Sequence, residues 1–574
     1  MKFSEMVYER PDIDKTVAEF DTLIRSFEHA GSFEEEKRII EQITELRMEF
    51  DSMKLLAAIY YSNDTENEVY IKEQDFMDEV SPIYEEHLTM YNKALINCRH
   101  KEELKKHFGE HLFKLAEMNA KTINHEVIND RQQENHLGSR YVKLKASAKI
   151  NFRGEIRNLQ EMEPMMESTD RATREEAFHA YWNFFSDNAQ EFDDIYDKVV
   201  YLRDDMAKKL GFSNYVELGY NRMMRADYNP EMVAEFRKSI RDYIVPLSLK
   251  LREKQRNRIG LDKLMVYDLS LQFSSGNAHP KGDPEWILDN GKKMYDELSP
   301  ETAEFFDYMM DNDLMDVLSR KGKADMGYCE YIPKYRNPYI FANMNGTDDD
   351  ITVLTHEAGH AFQSYCSRDF ELIEYMLPSY ETAEIHSMSM EYLTYPWMEL
   401  FFKEDTDKFK YSHLCSTVQF LPYGVLVDEF QHWVYENPKA TPLERKSKWR
   451  ELEKVYMPHL NYGDFEFLES GGRWQKQGHI YEAPFYYIDY CLAQICAFQF
   501  WSSAVHNKDG FDSSLRNYIE LCKLGGSMSF LNLLKSANLD SPFDANVIKK
   551  LAGEIETYLD SIDDKSSKTA SFLH

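Results

Sequence analysis

The pentapeptide His356-Glu357-Ala358-Gly359-His360 constrains this chain more than any other stretch. An α-helix turns by about 100° per residue, so side chains four apart return to within about 40° of one another. On a helix, His356 and His360 stand one above the other and can place ring nitrogens on one metal ion. Glu357 lies at the edge of that face, where it can reach a water on the metal without being a ligand.

The flanking residues predict the helix. Ile351, Leu354, Ala358, Ala361 and Phe362 recur at three- and four-residue spacing and form an apolar stripe. Both histidines fall on the other side, so one helix has a packing face and a chemical face. Thr347 or one of Asp348, Asp349 and Asp350 can cap its start, where negative charge suits the helix dipole.

A catalytic zinc takes three protein ligands and keeps one position for water. The third ligand is expected on a nearby second helix, and the segment Tyr380 to Glu391 offers it. Glu384, 28 residues after His356 (384 − 356), shares a face with Ser387, Met388 and Glu391. Glu381 or Glu391 can orient a ligating histidine by accepting its other N–H. His386 points to the opposite side and is not a ligand in this reading.

Composition narrows the class. The formal net charge is −32, a field that repels nucleic-acid phosphates. The seven cysteines include no C-x-x-C pair, which predicts neither a disulfide framework nor a cysteine zinc site. Met1 to Met6 shows no apolar signal core, and nothing later runs apolar for the roughly eighteen residues a spanning helix needs. The expectation is a cytoplasmic protein without membrane partners.

From Lys15 to about His125 the pattern is helical. Val17, Phe20, Leu23 and Ile24 share a face, as do Ile39, Ile40, Ile43 and Leu46, then Phe76, Val80, Ile83 and Tyr84. Polar turns such as Ser62-Asn63-Asp64 separate long antiparallel helices. Ser168-Thr169-Asp170 reads as another helix start. A boundary near residues 190–200 divides a helical N-terminal domain, 1–195, from a second domain, 196–574. Residues 274–284 are rich in Ser, Gly, Asn and Pro and read as a connector. Gly327 to Ile332 and Pro338 to Asn343 read as two short strands, the second running into the histidine helix. An edge strand beside a metal can pair with the backbone of an extended peptide.

The chain resembles the oligoendopeptidase F and thimet oligopeptidase family of zinc peptidases, on its oligoendopeptidase F branch. The resemblance rests on His356-Glu357-Ala358-Gly359-His360, with Ala358 where the family has Phe, and on Glu384, Ser387 and Glu391, which match E-x-x-S-x-x-x-E. Arg473-Trp474-Gln475-Lys476-Gln477-Gly478-His479, the run Pro484 to Tyr490, and Gly525-Gly526-Ser527 also match.

The resemblance implies a mostly α, two-lobed, zincin-like molecule with a small β-sheet beside the active-site helix and a deep substrate channel. It implies one Zn²⁺ per chain and cleavage of internal bonds in short unstructured oligopeptides. In that reading His356, His360 and Glu384 hold the metal and Glu357 is the general base. His479 with one or two of Tyr486, Tyr487 and Tyr490 lines the site; His479 and Tyr490 are the first choices as oxyanion donors, and Tyr487 the next. A metallo-carboxypeptidase remains an alternative, but needs a cationic residue for the substrate carboxylate that the sequence does not locate. A peptide-binding protein without catalysis is a third reading.

Overall fold

The first helices form where the apolar spacing predicts them. Ile13–Glu28, Phe33–Asn63 and Glu68–Ile96 bury faces centred on Phe20, Ile40 and Tyr84. Each start carries a polar cap: Asp12 accepts from the Lys15 amide, Ser32 from Glu35, and Asn67 from Val69 and Tyr70. Such caps satisfy backbone donors that have no partner inside the helix. The turn after Asn63 coincides with the predicted polar turn, and Asp170 caps Arg171–Asp187.

This computed structural model describes residues 1–507 and 509–571, with side chains described as far as Ile562. The architecture is mostly helical with small sheets. One set of buried apolar side chains extends from Met6 to Leu559.

Strands β1 (Ile150–Phe152) and β2 (Glu155–Arg157) make a short antiparallel hairpin. The second sheet has the order β3-β5-β4, with β3 spanning Met315–Leu318, β4 Tyr328–Ile332 and β5 Asn337–Met344. β5 is parallel to β3 and antiparallel to β4, with Tyr328 opposite Phe341 and Ile332 opposite Asn337. β5 and β4 correspond to the two strands read from the sequence, while β3 carried too short a signal to be read. β5, which leads into the histidine helix, is the central strand and is buried almost throughout. The edge beside the site therefore belongs to β4. Gly327, at its start, lies so close that an added Cβ would stand 3.6 Å from Glu357 Oε1.

The histidine helix spans Asp349–Ser367. Asp348 takes the N-cap position, but its side chain makes no capping hydrogen bond. Asp350 instead accepts from the Asn345 and Gly346 amides at 2.8 and 2.9 Å, tying the helix to the end of β5. The expected acidic start is present, and it acts on the preceding turn. The glutamate helix, Tyr380–Leu393, crosses the histidine helix and packs on Tyr487–His506.

Candidate active site

The two helices cross at Gly359. A Cβ on that residue would lie 2.5 Å from the His386 carbonyl oxygen and 2.6 Å from Ser387 Cα. Only hydrogen fits there, and the close approach carries Glu384 to the histidines. His356 Nε2 and His360 Nε2 stand 3.3 and 3.4 Å from Glu384 Oε2. One ligand atom from each residue falls within 4.8 Å of the other two, so the three could hold a single metal ion.

Neighbouring groups fix the orientation of each. His356 Nδ1–H donates to Glu391 Oε1 at 2.7 Å, which leaves the Nε2 lone pair facing Glu384. Glu391 Oε2 in turn accepts from His413 Nε2 at 2.6 Å, and the Tyr395 hydroxyl donates to His413 Nδ1 at 2.7 Å. Ser387 Oγ donates to Glu384 Oε2 at 2.9 Å, and the Tyr486 hydroxyl donates to Glu384 Oε1. Of the two carboxylates read as histidine partners, the structure brings Glu391 to His356. Glu381 accepts from Ser379 Oγ instead, and its Oε2 is buried without a partner.

Glu357 is only 7 % exposed, and its Oε2 is buried with no hydrogen-bond partner. Burial pushes its carboxyl above the ordinary range, against the opposing charges of His356 and His360. Ala358 is fully buried, on the packing side of the helix. His386 turns away from the site as expected, with Nδ1 3.6 Å from Cys522 Sγ.

A second group faces the three-residue cluster. Tyr423 donates to Gln477 Oε1 at 2.9 Å, so the Gln477 amide presents its N–H to His479 Nδ1 at 2.8 Å. His479 Nε2–H then points to the Tyr490 hydroxyl oxygen at 3.3 Å. Burial pulls the His479 imidazole down to about 4, which keeps it neutral near pH 7. The tyrosines divide by position. Tyr486 stacks on His479 and bonds Glu384 from just outside the helix. Tyr487 sets its ring edge-on to His479 and Tyr423, while Tyr490 meets His479 through its hydroxyl. Helical spacing sets Tyr486 apart from Tyr487 and Tyr490, which share a face, and it did not separate the roles of those two. His413 and Tyr423 were not singled out, because their partners lie on other elements and no local spacing marks them; Gln477 stood only within the run from Arg473 to His479, with no role read for it.

A cavity of about 610 Å³ adjoins this group. Met388, Glu391, His479, Tyr487 and Tyr490 form part of its wall. Residues 274–284, read as a connector, contribute Asn277 to it.

The fold and this constellation define a class of helical proteins that set an H-E-x-x-H helix against a glutamate helix. Comparison supplies the family. The pattern of peptidase family M3 matches residues 164–282 and 293–553, and that of the peptidase M3 N-terminal domain matches residues 3–123. The chain belongs to peptidase family M3. A solved structure of PZ peptidase A with an inhibitor is 51% identical, with a TM-score of 0.97, over 98% of this chain and 100% of that one. A structure named as an oligoendopeptidase F from Bacillus anthracis is 50% identical, with a TM-score of 0.92, over 99% of each chain. Oligopeptidase PepF of Bacillus subtilis is 25% identical over 304 residues, which span 52% of this chain and 44% of PepF. The chain thus matches less than half the length of that curated relative. Among the described residues, no helix is long and apolar enough to cross a membrane.

Proposed function

We propose that the protein is a metal-dependent endopeptidase that hydrolyses internal bonds of short unstructured oligopeptides. The observation that carries this reading is the convergence of His356 Nε2, His360 Nε2 and Glu384 Oε2 beside the unpartnered Glu357 Oε2. The donor set fits zinc: two imidazole nitrogens and one carboxylate oxygen, with the other nitrogen of His356 held by Glu391. When bound, zinc would supply Lewis acidity, polarising a carbonyl and lowering the pKa of water towards about 7.

The chain's own groups account for the protons. Glu357 Oε2 takes a proton from the attacking water as the carbon–oxygen bond forms. The same carboxyl returns it to the amide nitrogen as the carbon–nitrogen bond breaks. The Tyr490 hydroxyl accepts from neutral His479 and keeps its own proton to donate to the developing oxyanion. Burial holds that hydroxyl protonated well beyond neutral pH. The β4 edge can pair with the substrate backbone and bring the scissile bond alongside Glu357.

The test is hydrolysis of a quenched-fluorescent peptide of about eight residues with both ends blocked, before and after chelation and zinc return. An endopeptidase cleaves it, loses activity with the metal and regains it. A carboxypeptidase leaves the blocked peptide intact, and a peptide-binding protein holds it uncut. Either of those results overturns the proposal.

A further inference from the structure

The cavity beside the site holds two cationic side chains among its lining. Its lining includes Arg252 and Arg473, two guanidinium groups in a protein of net charge −32. Arg473 lies 3.7 Å from Glu453 and over the ring of Tyr423. Arg252 has no ion pair among the described residues. Its Nη1 donates to the neutral oxygens of Gln255 and Leu269 at 2.7 and 3.0 Å, and its Nε is buried without a partner. Burial pulls this guanidinium down to about 10; Cys415 opposes the fall and the Arg473 charge adds to it. It remains a cation at pH 7. His459 adds no charge beside it: both its ring nitrogens are buried without partners, and burial reinforced by the two arginines keeps the ring neutral.

Glu167, Asp348, Asp349 and Glu391 also line the cavity, but among the described residues none of them forms an ion pair with either arginine. Arg252 is half-buried, and a cation partly withdrawn from water without a counter-ion loses hydration that an arriving anion offsets. A guanidinium matches a carboxylate in particular, because its planar fork gives two parallel N–H···O bonds. Glu391, His479 and Tyr490 line the same cavity, so a peptide cut at the candidate metal site would extend into it.

We propose that Arg252, with Arg473, holds a carboxylate of the oligopeptide substrate in this cavity. This rests on the peptidase reading and adds a specificity determinant to it. It also supplies the cationic group that sequence could not locate, at a place set by the cavity. A peptide carboxylate has two sources, the free C-terminal end or an acidic side chain near it.

The experiment uses three quenched-fluorescent octapeptides that share their first seven residues: a free C-terminal acid, its amide, and an amide in which Asp replaces the last residue. The wild type is expected to prefer the free acid over the amide by at least about tenfold in kcat/KM, mostly through KM. If the Asp-amide peptide matches the free acid, any carboxylate at that place suffices; if it behaves like the plain amide, the α-carboxylate is the ligand. Arg252→Gln should bring the acid-to-amide ratio to about one, and Arg252→Lys should retain part of it. Equal kcat/KM for all three peptides in the wild type overturns the proposal, and that result requires no variant to fold. An unchanged ratio in a folded Arg252→Gln overturns it too.

Fluorescence anisotropy of the labelled peptides on Glu357→Gln protein separates this inference from the one beneath it. Tighter binding of the acid without any wild-type hydrolysis would sink the peptidase reading and leave the carboxylate site standing. Hydrolysis without preference would do the reverse.

Discussion

Gly359 lies against Ser387 so closely that a Cβ on the glycine would stand 2.6 Å from the serine Cα. Both neighbours at the crossing are backbone atoms, which cannot swing aside as a side chain can. Gly359→Ala is therefore expected to force the histidine and glutamate helices apart. Overpacking of this kind costs about 1–3 kcal/mol. The larger effect falls on the metal site, since Glu384 moves with its helix. Thermal unfolding and metal titration should show a modest loss of Tm and a large loss of zinc affinity; wild-type affinity in this variant would contradict the account.

Glu391 orients His356 and is itself held by His413. Removing such a partner typically costs about 10–100-fold in metal affinity or activity. Glu391→Ala is expected to weaken zinc binding by that factor, and His413→Ala by less, because it acts one step further out. Competition with a fluorescent chelator measures both.

Tyr490→Phe removes one hydroxyl and leaves the ring packing intact. An oxyanion donor contributes about 10²–10³ to kcat. The expected result is a fall of that size in kcat with KM little changed. Gln477→Ala should produce a smaller fall, because it frees the His479 ring to take another tautomer or orientation. Steady-state kinetics on a single peptide tests the order.

Glu134 makes a separate prediction about stability. It is 6 % exposed and accepts from Arg131 at 2.6 Å, from Arg222 at 3.1 Å and from Arg203. Burial opposes its ionised form, but the charges of Arg203, Arg222 and Arg131 outweigh this and hold the carboxyl well below the usual range. A folded-state pKa below the unfolded one stabilises the fold at pH above the ordinary carboxylate value of about 4.3. That contribution is lost as pH falls from there through the lowered pKa. Glu134→Gln leaves Arg203 and Arg222 without a carboxylate, while Arg131 keeps Glu85 at 3.3 Å, and is expected to cost about 3–5 kcal/mol at pH 7. The difference from wild type should shrink in strong acid. Urea unfolding at pH 7 and below pH 4 measures it, and a pH-independent difference would contradict the linkage.

The histidine helix was legible because its chemistry and packing repeat at helical spacing within nineteen residues. Glu384 was legible only in combination with it, since acidic residues are common throughout the chain. β4 and β5 stood out through a change of period, but the sheet order did not. Strand order depends on pairings between segments, and β3 lies in sequence before the turn that precedes β4. His413 and Arg252 left no mark, and Gln477 appeared only as one member of the run from Arg473 to His479. His413 meets Glu391 across two helices, and no spacing along the chain encodes that meeting.

The central claim is that Glu357 moves the proton while His356, His360 and Glu384 hold the metal. The direct measurement is zinc content and peptide hydrolysis on wild type and Glu357→Gln, prepared side by side. The account predicts about one zinc per chain in both, and a loss of activity in the variant of about 10²–10⁴-fold, the range for a general base. Undiminished hydrolysis by Glu357→Gln, or a wild type that binds no stoichiometric metal, would contradict it.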